Sequence, residues 1–187
     1  MPGPEPDGSG VQYCDPHRIA DLRKLLARYG IGLAVHPPAA RLPGSYWGEP
    51  EAGIVGSTLH LRPDTPVHSA LHEACHLICM DAARRSTVHT DAGGNDPEEE
   101  AVCLLQVLLA DHLPGVGRRR LMADMDAWGY SFRLGSTAAW VANDSGDARD
   151  WLRLHGLVDA TGRVTFRLRD TMAAQPAAAC NNQASMA

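Results

Sequence analysis

Ile19, Leu22, Leu25, Leu26 and Tyr29 recur at helical spacing. Asp15-Pro16 ahead of them supplies an N-cap and a proline for the first turn, and Gly30 supplies a stop. A helix is therefore predicted from about residue 16 to 29. Ile31–His36 fits a strand halted by Pro37-Pro38, and short extended segments follow around Ser45–Trp47 and Gly53–Arg62. Asp64-Thr65-Pro66 opens a second helix through Val67–Met80. After a polar loop, Ser86–Asn95, a third helix begins at Asp96-Pro97 and buries Ala101, Leu104, Leu105, Leu108 and Leu109. Farther on, the pattern predicts a helix over Asp147–His155. The alternation of Val164, Phe166 and Leu168 predicts a strand over Arg163–Arg169.

The ends of the chain have a different composition. Residues 1–14 are rich in Pro and Gly, and the stretch from about Thr171 to 187 is similar, so both are expected to be disordered tails around one domain, 15–170. Its core is expected within 15–115, with 116–170 as a C-terminal elaboration. The 187 residues, 44% of them hydrophobic, suffice for one domain with a real core.

Charge and cysteine usage narrow the function. A net charge of −5 argues against a nucleic-acid partner, and Arg118-Arg119-Arg120 reads as a solvated loop or helix start. No apolar run approaches the ~18–20 residues of a membrane span. The opening residues MPGPEPDGSG have neither the basic start nor the apolar stretch of a secretory signal, and five cysteines are scattered without a disulfide pattern. A cytoplasmic setting is the expectation.

Against that background one stretch of the second helix stands out, Leu71-His72-Glu73-Ala74-Cys75-His76. Composition gives roughly 0.02 chance matches to H-E-x-x-H in a chain of this length. On a helix His72 and His76 lie about 6 Å apart on one face, so both imidazoles can bind one Zn²⁺ at ~2.0–2.1 Å. Glu73 stands ~100° round the helix, beside the ion, where its carboxylate can act as general base on water. A catalytic zinc needs a third protein ligand and an open position. Cys79 and Ala82 stand where a metzincin would carry Gly and His. After His76 the only glutamates are Glu98, Glu99 and Glu100, all in the first turn of the third helix. Those acids also suit the helix dipole, with Asp96 and Glu99 as a capping box.

The order helix, strands, HExxH helix and Glu helix resembles the ImmA/IrrE-like zinc metallopeptidases of the gluzincin group. PEEEAVCLLQVLLADHLP is similar to the family's second metal helix, including Leu108-Leu109 and Pro114. The resemblance spans about residues 15–115. It departs from the pattern in lacking an Asn four residues after the ligand: Val102, Cys103 and Leu104 stand there. It implies a zincin-like fold and a peptidase acting on an intracellular protein. Related sites place a polar residue four after the Glu, where it can support a ligand. Cys103 and Gln106 fall on the face of Glu99, so Glu99 is the expected third ligand and Glu98 its rival.

Other residues have two readings. His68 extends the stripe but lies ~12 Å along the axis from His76, so a substrate contact and packing at the helix start both stand. His89 reads as an oxyanion donor or a solvated loop residue, and Asp91 as a weaker third-ligand candidate. Cys75, Cys79 and Cys103 could join His76 in a structural zinc site, although cysteines on apolar helix faces are more often buried hydrophobes. Trp128 and Tyr130 read as core or as cleft walls, where a Tyr hydroxyl could stabilise an oxyanion.

The expectation is an α+β fold with a minimal zincin-like core, a small sheet packed on two helices. His72, His76 and Glu99 would hold Zn²⁺, Glu73 would be catalytic, and the substrate would be a protein or peptide. The alternative is a non-catalytic regulatory or interaction protein with a structural zinc site.

Overall fold

The computed structural model describes residues 10–169. The disorder expected for 1–9 and 171–187 lies outside the described residues. Among those described, a three-stranded mixed sheet and seven helices make an α+β fold. Helix α1, Pro16–Ala27, starts as the sequence predicts, with the Asp15 side chain accepting from the Arg18 N–H.

Strands β1 (Gly32–Val35), β2 (Gly53–Val55) and β3 (Thr58–Leu61) form the sheet in the order β1-β3-β2. β1 runs parallel to β3 with Leu33 opposite Leu59, and β2 runs antiparallel to β3 with Ile54 opposite Leu59. Gly56, at φ 53°, permits the tight β2–β3 turn. Between β1 and β2 the chain runs through residues 36–52 without regular structure. Connections of this length in a packed fold are commonly functional. Ser45–Trp47, expected as a strand, contributes only a single bridge from Ser45 to Gly53.

Helix α2, Val67–Cys79, is the centre of the molecule: every residue in it except His72 is buried. A helix apolar nearly all round must be covered on all sides. The sheet covers one side and helix α4, Asp96–Ala110, another. The start of α2 differs from expectation. Asp64 does not cap it but forms a two-pronged pair with Arg62 at 2.7 and 2.8 Å. The first-turn N–H of Val67 donates instead to the Gln12 carbonyl at 2.8 Å, and Cys14 N–H donates to Thr65 at 2.8 Å. Residues 11–14, assigned by composition to a tail, therefore serve as the cap of α2, with Val11 and Cys14 buried.

A short helix, α3 (Ala82–Thr87), capped by Asp81, occupies the chain just after α2 and takes up the first residues of the expected loop. Asn95 caps α4 by accepting from Glu98 N–H, so the capping box expected from Asp96 and Glu99 does not form and Glu99 turns elsewhere. The C-terminal part adds α5 (Gly117–Trp128), α6 (Thr137–Asn143) and α7 (Gly146–Leu154); α5 and α7 pack on α4. The Arg118–Arg120 run opens α5, where Arg118 pairs with Asp111 and Arg120 with Asp124, both at 2.6 Å. The strand expected over 163–169 is absent: only Val164 bridges, to Val158. Among the described residues no strand lies beside it to pair with. Phe166 instead packs on Tyr29 and His112 with centroids 5.5 and 5.0 Å apart.

Candidate metal centre

α2 and α4 cross so that three side chains converge. His72 and His76, four residues apart on α2, face each other with Nε2 atoms 3.1 Å apart. From α4, Glu99 reaches both, Oε1 lying 3.2 Å from His72 Nε2 and Oε2 3.5 Å from His76 Nε2. A tetrahedral ion with bonds of 2.0–2.1 Å has ligand–ligand edges of about 3.3–3.4 Å. The three observed separations bracket that edge, so His72, His76 and Glu99 could hold one metal ion, and the donor set suits zinc.

The first turn of α4 offers three acids, and their surroundings divide them. Glu98 is buried and accepts from Arg84 at 2.8 and 3.0 Å and from Arg169 at 2.8 Å. Its carboxylate is committed to two guanidiniums and is not among the donors that converge with the histidines. Glu99 faces the histidines, and Glu100 lies exposed along a neighbouring cleft. Gln106, expected to support Glu99, instead donates to Met125 Sδ at 3.3 Å. Cys103 lies against His72.

Electrostatics favour metal binding over a charged imidazole at His76. Burial and the adjacent His72 push the His76 pKa down to about 4, which leaves a lone pair free. Burial opposes charge on Glu99, but the hydrogen bond and charge of His72, with His76 behind, hold its pKa below the ordinary carboxylate value. Glu73 is 7% exposed and has no hydrogen-bond partner among the described residues. Burial pushes its pKa up to about 7; His72 pulls against this, and Glu51 and Glu99 add to it.

Two clefts meet at this point. One, of about 390 Å³, is bounded by Tyr46, Glu73, His76 and residues 90–94. The other, of about 930 Å³, is walled by Trp128, Tyr130, Phe132 and Trp140. His72, Glu99 and Trp47 line both, so a continuous groove crosses the triad. Trp47 is 76% exposed at its lip and Tyr46 packs edge-on to it at 5.1 Å.

His68 is fully buried, its ring 5.1 Å from Trp128 and 5.6 Å from Tyr130, and burial pushes its pKa down to about 3. It packs and has no access to a substrate. His89 is exposed, bridges to Val55 and bonds Thr90 Oγ1 at the edge of the smaller cleft, but lines neither cleft itself. Asp91 lines the smaller cleft and caps Gly93 N–H but is not among the converging donors. Cys14, Cys75, Cys79 and Cys103 are buried free thiols, and Cys75 and Cys79 are shifted well up by burial. Trp128 and Tyr130 line the larger cleft, with Tyr130 packed edge-on against His72 at 5.9 Å.

Sequence reasoning missed Glu51, Tyr46 and Trp47, which the irregular connection carries to the site. Glu51 is held by Trp128 Nε1 at 3.1 Å and Ser69 Oγ at 3.2 Å. Two exposed aromatics between glycines were the one available signal. Among the described residues no helix is long and apolar enough to cross a membrane. The chain matches no family model, no curated protein and no solved structure.

Proposed function

We propose that the chain is a zinc-dependent peptidase that hydrolyses a peptide bond in a protein or peptide substrate. One observation carries the reading: three metal donors meet a carboxylate, Glu73, that has no partner among the described residues, in a groove open on both sides of them. Structural zinc sites close with four protein ligands, whereas catalytic ones use three and keep a position open. The converging group among the described residues has three members.

When bound, zinc supplies a Lewis acid that acidifies water and polarises a carbonyl. His72, His76 and Glu99 would hold it. Glu73 takes a proton from the attacking water onto its carboxylate and later delivers that proton to the leaving amine. The two arms of the groove receive the substrate on either side of the bond to be cut. The kinship with ImmA/IrrE-like peptidases and an intracellular substrate belong to this proposal, supported by the order of elements and the H-E-x-x-H helix. The donor set also bridges α2 and α4, which favours a second reading in which the ion only ties those helices together in a regulatory protein.

Glu73→Gln separates the two. The zinc-loaded variant and wild type are offered the same peptide library and products are read by mass spectrometry. Equal zinc content with turnover reduced by about 10²–10⁴-fold supports the peptidase. No cleavage by wild type, together with four protein ligands on the zinc, establishes the regulatory reading.

A further inference from the structure

We infer that the larger arm of the groove selects substrates with an arginine or lysine side chain near the bond to be cut; the inference rests on the peptidase reading. Its walls combine two features that suit such a side chain. The first is aromatic surface: Trp47, Trp128 and the stacked pair Phe132 and Trp140, with centroids 4.5 Å apart. The second is negative charge from separate elements, with Glu51 on the connection, Glu100 on α4, and Asp144 and Asp147 at the start of α7 and just before it.

Most of that charge has a partner already. Arg133, the arm's cation, is paired with Asp144. A divalent ion at the triad would be balanced in part by Glu99, and Glu51 already accepts from Trp128 and Ser69. Glu100 and Asp147 remain, both exposed and neither in an ion pair among the described residues. The larger arm meets the smaller cleft at the triad, and there Glu73, more than nine-tenths buried, lines the smaller cleft with no hydrogen-bond partner among the described residues. A basic side chain can lay its aliphatic stem along the indoles and set its charge against the aromatic faces and the carboxylates of Asp147 and Glu100, the latter also within the field of Arg133. An acidic side chain would meet like charge there.

The test uses zinc-loaded Glu73→Gln protein and blocked hexapeptides that differ only in carrying Arg, Gln or Glu, moved through each position. Binding is read from tryptophan fluorescence at two salt concentrations. At one position Arg peptides are expected to bind at least about tenfold more tightly than Glu peptides, with the preference shrinking in high salt. Glu100→Gln with Asp147→Asn should bring the ratio near one. Equal affinities for Arg and Glu peptides, or a preference untouched by both salt and the double variant, overturn the inference. Wild-type protein is then given the same peptides. Peptides cut without regard to charge sink the inference alone; Arg peptides bound tightly but never cut sink the peptidase reading and leave the cation-selective groove standing.

Discussion

Glu98→Gln tests how the fold keeps the metal helix in place. The Glu98 side chain is 5% exposed and joins Arg84 and Arg169, which are 30% and 23% exposed. Arg84 also donates to the Ala92 carbonyl, and Arg169 to the Cys79 carbonyl at 3.2 Å, so one carboxylate ties α4 to the end of α2 and to the C-terminal segment. Breaking a fully buried ion pair costs about 3–5 kcal/mol. Here the guanidiniums keep a quarter to a third of their surface in water, which recovers part of that loss and brings the expected cost to about 2 kcal/mol. For a domain of this size that corresponds to roughly 4–8 °C in Tm. Glu99 is the next residue, so a loosened first turn should also weaken zinc binding by about tenfold, the effect usual for a group that orients a ligand. Urea unfolding of metal-free protein and zinc titration against a competing chelator measure the two quantities. A stability change under about 0.5 kcal/mol with zinc affinity unaltered would refute the reasoning.

Gly53→Ala places a Cβ 2.3 Å from the Pro43 carbonyl oxygen and 2.4 Å from Ser45 N, so the stretch that leads to Trp47 must move. A lower Tm and altered Trp47 fluorescence are expected, and an unchanged Tm would show that the contact yields freely. The Arg62 hydrogen bond, opposed by burial and aided by Arg62's charge, holds the Asp64 pKa below its usual value. The folded-state pKa is thus the lower one, so the stabilisation is complete above the ordinary carboxylate value near ~3.9 and is lost as pH falls through the folded value. Asp64→Asn should therefore be less stable than wild type at pH 7 by under about 1 kcal/mol and equal to it in strong acid, as followed by urea unfolding across pH. Asp15→Ala removes the side-chain cap of α1 and should cost about 1 kcal/mol by the same assay.

The two helices that build the site were legible because each announces itself twice, by apolar periodicity and by a proline at its start. Two histidines four apart on such a helix must share a face, which is why His72 and His76 needed no tertiary information. Among three successive acids, however, helix periodicity only spaces them ~100° apart; which one meets the histidines depends on where Arg84 and Arg169 lie, and Arg169 is distant in sequence. Alternation over 164–168 misled because a strand needs a partner, and Phe166, at φ 56°, turns its ring onto Tyr29. Composition misled at residues 11–14, whose backbone satisfies the start of α2. The groove's Glu51 and Trp47 arrive on a connection with no periodicity, placed by tertiary contacts alone.

On the proposed reading, His72, His76 and Glu99 hold one zinc ion with a coordination position left for chemistry and Glu73 beside it. Diffraction at the zinc absorption edge from crystals of zinc-loaded protein tests it most directly. A single anomalous peak is expected between α2 and α4, about 2.0–2.1 Å from both Nε2 atoms and a Glu99 oxygen, with a fourth ligand that is not protein. A peak elsewhere, a site closed by a fourth side chain such as Cys103, or Glu73 bound to the metal would contradict it.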